Sequence, residues 1–262
     1  MRFPGIVLAL CLAVGISAQA QMTKEALIAK YVETAASLKD KDVSGRMEVG
    51  IDMMGSVQKM PMKFWKKGKM ARMEITVTSP LLPEPMEQLM VCDGAMLWTY
   101  QKVLNTVTSI DMNRLSEEMR GSVQSSMGPF SMGAMTKNLD SFVTNSRLSE
   151  MKRDGKNYYV LQMANLGDVT KNLPGPFARQ MSAFKKINMW IDPSTYYVSR
   201  VDFFADAEQP GMWLDINSVN FQPVDPSLFV FKVPEGAQVN DMTDTVIGMY
   251  NRMNQPATPP TP

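Results

Sequence analysis

Histidine is absent from this 262-residue chain. That removes every Ser-His-Asp and Cys-His catalytic arrangement, and every zinc site that needs an imidazole. Cysteine is nearly absent: Cys11 lies in an N-terminal apolar run and Cys92 in the body of the chain. A single body cysteine forms no internal disulfide and no Cys₄ metal site, so the fold must be held by its core. Cys92 follows Leu89-Met90-Val91, the setting of a small buried hydrophobe and not of a reactive thiol. An excess of either charge is also missing, with Lys+Arg 27 against Asp+Glu 26. The densest basic stretch, Lys63 to Lys69, reads as a strand end with solvated lysines. Nucleic acid is therefore not an expected partner, because phosphate binding needs clustered Lys and Arg.

Catalytic signatures are equally scarce. There is no G-x-S-x-G elbow, no P-loop and no dinucleotide glycine fingerprint. Ser182-Ala183-Phe184-Lys185 matches S-x-x-K, but its K-T-G and S-D-N companions are missing. The strand periodicity also puts Ser182 and Lys185 on opposite faces. Asp202 and Asp206 read as the solvated edge of a charged turn rather than a glycosidase pair. Asp241 and Asp244 are too few and wrongly spaced for a calcium loop. The chain is expected not to be an enzyme and to carry no cofactor.

What is present begins at the N-terminus. Arg2, an uncharged apolar run over 4–17 and Ala18-Gln19-Ala20 form a signal peptide over residues 1–20. Cys11 sits inside that run after Leu10, which argues against lipidation there. No second run of about 18 apolar residues follows, so no transmembrane helix is expected. The expected location is periplasmic, or otherwise exported.

The body, residues 21–242, reads as mainly β. Residues 23–38 have helical spacing, with Thr23 as N-cap. The period then changes to two. Strands are expected near 43–54, 59–67, 70–78, 87–92, 96–101, 103–110, 144–152, 157–164, 182–192, 196–205, 211–221 and 228–233. Asp93-Gly94 and Asp154-Gly155 are hairpin turns. A helical insertion spans about 111–143, where Met112, Leu115, Met119, Val123 and Met127 form one stripe. Met132, Met135, Leu139 and Phe142 form a second, weaker one. After Pro234-Glu235-Gly236 the strand pattern stops. Residues 243–262 read as a tail, proline-rich and disordered from 255. Short strands and tight turns in this order suggest an antiparallel barrel, an incomplete barrel or a sandwich.

Several strands are apolar on both faces, such as Met90 and Cys92 against Leu89 and Val91. Both faces must then be covered, or one must form a cavity. The N-terminal helix and the 112–127 helix are the available covers. With 25 methionines in the chain, such a cavity would be lined by flexible, polarizable side chains suited to variable apolar ligands. A fully packed sandwich is the alternative.

The order of the motifs adds a family resemblance. Phe64-Trp65-Lys66-Lys67, Met70-Ala71-Arg72-Met73-Glu74, Met90-Val91-Cys92-Asp93-Gly94 and Leu97-Trp98-Thr99-Tyr100 are similar to the periplasmic outer-membrane lipoprotein carriers (LolA/LolB-like). So are Met189-Trp190-Ile191-Asp192, Val201-Asp202-Phe203 and the run from Phe229 to Val239. The strand pattern amounts to about eleven short antiparallel strands, and the resemblance implies that they form a curved, incomplete β-barrel with a helical lid over an apolar cavity. It implies carriage of lipid or lipoprotein acyl chains towards the outer membrane, with an inner-membrane release complex or an outer-membrane acceptor as partner. A sensor or interaction module of the same fold is the alternative. Expected cavity residues are Phe64, Met90, Met96, Trp98, Met112, Met119, Met189 and Met212. The family's lid-controlling arginine has no clear counterpart; Lys67 and Arg72 are the nearest candidates.

Overall fold

The computed structural model describes residues 22–38, 40–53, 55–78, 84–126, 145–164, 183–205 and 208–253. The signal peptide, the 132–142 stripe, Ser182, Asp206 and the chain beyond 253 lie outside them.

The period-two segments form strands and the turn residues end them as their chemistry requires. Helix α1 (Lys24–Leu38) starts where Thr23 Oγ1 accepts from Ala26 N at 3.2 Å. Strands β1 (Val43–Met53), β2 (Ser56–Lys67), β3 (Met70–Val77), β4 (Met86–Cys92), β5 (Met96–Gln101) and β6 (Thr106–Asp111) follow as a meander. At the β4–β5 turn, Asp93 Oδ1 accepts from Ala95 N and Met96 N, and Gly94 takes a φ of 100° open to glycine. A 3₁₀ turn (Met112–Arg114) leads to α2 (Glu117–Ser126). Asp111 caps the first and Ser116 Oγ the second. A second meander comprises β7 (Ser146–Arg153), β8 (Lys156–Ala164), β9 (Lys186–Ile191), β10 (Val198–Phe204) and β11 (Met212–Asn220).

Strand β11 pairs with β1, which joins the two meanders into one twelve-stranded sheet with β12 (Gln238–Asp241) at one end. Its order is β12-β6-β5-β4-β3-β2-β1-β11-β10-β9-β8-β7, so among the described residues β12 and β7 are the edges and the barrel is incomplete. All pairings between these strands are antiparallel except β12 with β6.

The C-terminal part differs from the sequence reading. Residues 228–233 are not a strand. They belong to an extended segment, with a 3₁₀ turn at Pro226–Phe229, that crosses the sheet. The strand lies later, at β12, and the expected tail opens with α3 (Thr243–Met253). Asp241 Oδ1 accepts from Thr243 N and caps α3. The sequence hides α3 because its stripe, Val246, Ile247 and Tyr250, follows polar residues and precedes a proline-rich end.

Register fixes which residues share a face. On the inner face α1 buries Leu27, Ile28 and Tyr31 against Leu161, Met163, Ile187, Met189 and Val201 of the second meander. On the same face α2 and α3 meet Cys92 and Leu97 through Met112, Leu115, Met119, Val246 and Ile247. On the outer face of the first meander the 221–237 segment is the cover. Phe231 stacks on Trp98 at 5.5 Å, Arg72 Nη1 donates to the Leu228 carbonyl at 3.1 Å, and Phe229 is buried. Asp42 ties its start, accepting from Val224 N and from Lys67 Nζ. The strands are apolar on both faces because both faces are covered, by helices inside and by an irregular strap outside.

Candidate functional site

Among the described residues the two inner-face clusters share no member. Between them lie β1, β2 and β3, the centre of the sheet. Their inward residues are set by register: Met47 opposite Met62, Val49 opposite Met60, Gly45 opposite Phe64, then Phe64 opposite Met73 and Met62 opposite Ile75. Met212 joins them across from Ile51. Met47, Phe64 and Met73 are buried; Val49, Ile51, Met60, Met62, Ile75 and Met212 are half-buried. None of these residues belongs to either core cluster. The result is an apolar, methionine-rich band flanked by helices on both sides. Gly45 is needed where Phe64 lies, because a Cβ there would fall 2.5 Å from the ring and 2.2 Å from the Ser218 carbonyl oxygen.

The expected cavity residues divide. Phe64, Met90 and Met212 face inward beside or within the band. Met112 and Met119 are buried in the α2–α3 cluster, and Met189 in the α1 cluster. Met96 and Trp98 lie on the outer face. In β5 it is Leu97 that pairs with Cys92 and points inward. The alternation of β5 is clear, with Met96, Trp98 and Tyr100 against Leu97, Thr99 and Gln101, but its more apolar face is turned outward. Trp98 is occupied by Phe231 of the strap instead. Met47, Met60, Met62 and Met73 were missed as a group. Part of their signal was available, since Met60 and Met62 alternate in β2, but Met47 in β1 and Met73 in β3 have no methionine two positions away, and only register brings them together.

Lys67 and Arg72 do not touch the helices. Both are outward. Lys67 pairs with Asp42, and Arg72 pairs with Glu74 while its guanidinium lies 5.9 Å from the Trp65 ring. Arg72 also donates to the Leu228 carbonyl of the strap, and Lys67 shares Asp42 with Val224 N, so the contacts described for both lie on the strap side.

Burial pushes the Cys92 thiol up, which disfavours the nucleophilic thiolate. Burial also holds the Tyr31 phenol at about 12, and raises Tyr197 with help from Tyr31. Among the described residues no group of three or more His, Cys, Asp or Glu is arranged for a metal. No described helix is long and apolar enough to cross a membrane.

The outer face of the second meander is different in kind. Asp202 is buried, accepting from Trp190 Nε1 at 2.6 Å and from Arg200 Nε at 2.5 Å. Arg200 Nη1 reaches Asp215 at 3.0 Å, and Arg153 also grips Asp215. Asp202 was expected to be solvated; its burial among partners from neighbouring strands corrects that.

No protein-family model matches the sequence, and no curated protein matches it. Solved structures do resemble it. An uncharacterized conserved protein from Thermus thermophilus is 10% identical with a TM-score of 0.47, covering 81% of this chain and 98% of that one. LprF from Mycobacterium bovis is 10% identical with a TM-score of 0.43, covering 80% and 97%. A candidate outer membrane lipoprotein-sorting protein domain from Vibrio parahaemolyticus is 17% identical with a TM-score of 0.33, covering 79% and 97%.

Proposed function

We propose that this chain is an exported binding protein that holds acyl chains of lipids or lipoproteins against the inner face of its sheet, for transfer towards the outer membrane. One observation carries the reading: the band of Met47, Met60, Met62, Met73 and Met212 between two separately packed helical clusters. Methionine has three flexible torsions and a polarizable sulfur, so the band adapts to a chain of variable course. An acyl chain gains about 0.8 kcal/mol per CH₂ buried, on the order of 10 kcal/mol for sixteen carbons before ordering costs. The motif order of the sequence supports the same reading. Binding without turnover is part of it.

The test is native mass spectrometry of the full chain purified from an exporting host, with titration of a fluorescent C16 acyl probe. Lipid adducts and saturable probe binding are expected. Met62→Glu and Met73→Glu should each weaken the probe at least tenfold, while Lys63→Glu on the outer face should not. Repeated absence of adducts together with no saturable binding would sink the proposal. Transport is tested separately, by transfer of labelled acyl cargo to acceptor vesicles; holding without transfer would leave a binder that does not carry.

A further inference from the structure

The outer face of the second meander contains a cleft of about 420 Å³, within the size range of small-molecule sites. Its floor is formed by Lys186, Asn188 and Trp190 of β9 beside Asp202 of β10. The charges in its wall mostly neutralise one another. Arg153 and Arg200 share Asp215, and Arg200 and Trp190 use both oxygens of Asp202. Two groups are left over. Asn188 is only 5% exposed, yet its Oδ1 has no hydrogen-bond partner. A buried carbonyl oxygen left so costs about 1–3 kcal/mol. Lys186 forms no ion pair among the described residues; its ammonium lies 3.9 Å from the centroid of the Phe204 ring. The two residues are two apart on one strand face, about 7 Å between Cα atoms.

We propose that this cleft binds a carboxylate whose neighbouring amide N–H donates to Asn188 Oδ1, with the carboxylate on Lys186. Both unspent groups are then satisfied at once: the anion meets the one described lining cation without an ion pair, and the donor meets the orphaned acceptor. Gln162, directly across from Asn188 on β8, adds an amide beside the same spot. Glu208 stands exposed at the rim and limits the ligand to a single compact anion. The chemistry is that of an N-acyl amino acid or of a peptide carboxy-terminus. The cleft and the methionine band lie on opposite faces of the sheet, so neither site depends on the other.

The test follows the indole ¹H–¹⁵N signals of the full-length mature chain, in which Trp190 Nε1–H reports on the cleft. The probes are N-acetylglycine, acetyl-triglycine and acetyl-triglycine carboxamide. At about 10 mM a site of millimolar Kd is nearly filled. Both acids should shift the Trp190 signal saturably and the carboxamide should not. Comparable affinity for the two acids identifies an N-acyl amino acid; tighter binding of the tripeptide identifies a peptide terminus. Lys186→Gln and Asn188→Leu should each weaken binding at least tenfold. Asn188→Leu is expected to fold well, because it removes an unsatisfied polar group without a large change of volume. No saturable shift with either acid, equal binding of the carboxamide, or unchanged affinity in both variants would overturn the proposal.

Discussion

Asp202 shows how a single residue takes its meaning from neighbours the sequence does not place beside it. In the chain it stands two residues from Arg200 and near a charged turn, which suggests solvation. In the fold its carboxylate is buried and accepts from Trp190 on one oxygen and Arg200 on the other. The next links, Asp215 and Arg153, come from β11 and β7. No spacing rule joins four strands, so this cluster was illegible in the sequence. Breaking a buried, hydrogen-bonded charge by removing one member leaves the other uncompensated. Asp202→Asn should therefore lower the unfolding free energy by about 2–4 kcal/mol in urea denaturation, whereas Asp154→Asn at the exposed end of the cluster should change it by under about 0.5 kcal/mol. Gly45 is the opposite case, a residue defined by what it lacks. A methyl there meets the Ser218 carbonyl oxygen, which is backbone and cannot rotate away. Gly45→Ala should cost about 1–3 kcal/mol or more, and more than Gly121→Ala, where the Cβ meets nothing. Comparing the two urea midpoints decides it.

Elements were more legible than contacts. The Asp93-Gly94 and Asp154-Gly155 turns, the Thr23 cap and both meanders follow from local chemistry, and local chemistry decided them. The exceptions are instructive. The apolar face of β5 turns outward because Phe231 of the distant strap covers it there, a cover that local spacing does not reveal, and β12 has only four residues, three of them polar. Helix α1 was read correctly, and its docking makes a prediction with a definite sign. Burial pushes the Tyr31 phenol up to about 12 from an ordinary value of 10.0. Between pH 10 and 12 the unfolded chain has released a proton that the folded chain still holds. The stability linked to Tyr31 is therefore complete below pH 10 and is lost as pH rises through about 12. The full loss is about 2–3 kcal/mol. Tyr197 is raised in the same direction by burial and by Tyr31. Thermal midpoints measured from pH 8 to 12 should fall across that window, and Tyr31→Phe should flatten the fall. An equal slope in the variant would mean that α1 is not held through a buried neutral phenol.

For the whole molecule, the backbone and the core tell different stories. The sheet is continuous through β1 and β2, yet the packed side chains form two clusters with the methionine band between them. Residues in separate clusters share no partner, so their contributions should add. Leu27 in α1 and Leu115 before α2 are both nearly fully buried, one in each cluster. Leu27→Ala and Leu115→Ala should each cost about 2–5 kcal/mol, and the double variant should equal their sum within about 0.5 kcal/mol when no ligand is present. An acyl chain lying along the band would touch both clusters and give them a common neighbour. It would also stabilise the folded state by about 2.7 kcal/mol at a hundred times its Kd. The double-variant cycle, repeated with saturating palmitate, should then deviate from additivity by about 0.5 kcal/mol or more. Additivity that survives a demonstrated, saturating ligand would place the acyl chain away from the band. Coupling already present without ligand would mean that the two clusters are one core and that the band is its filled centre.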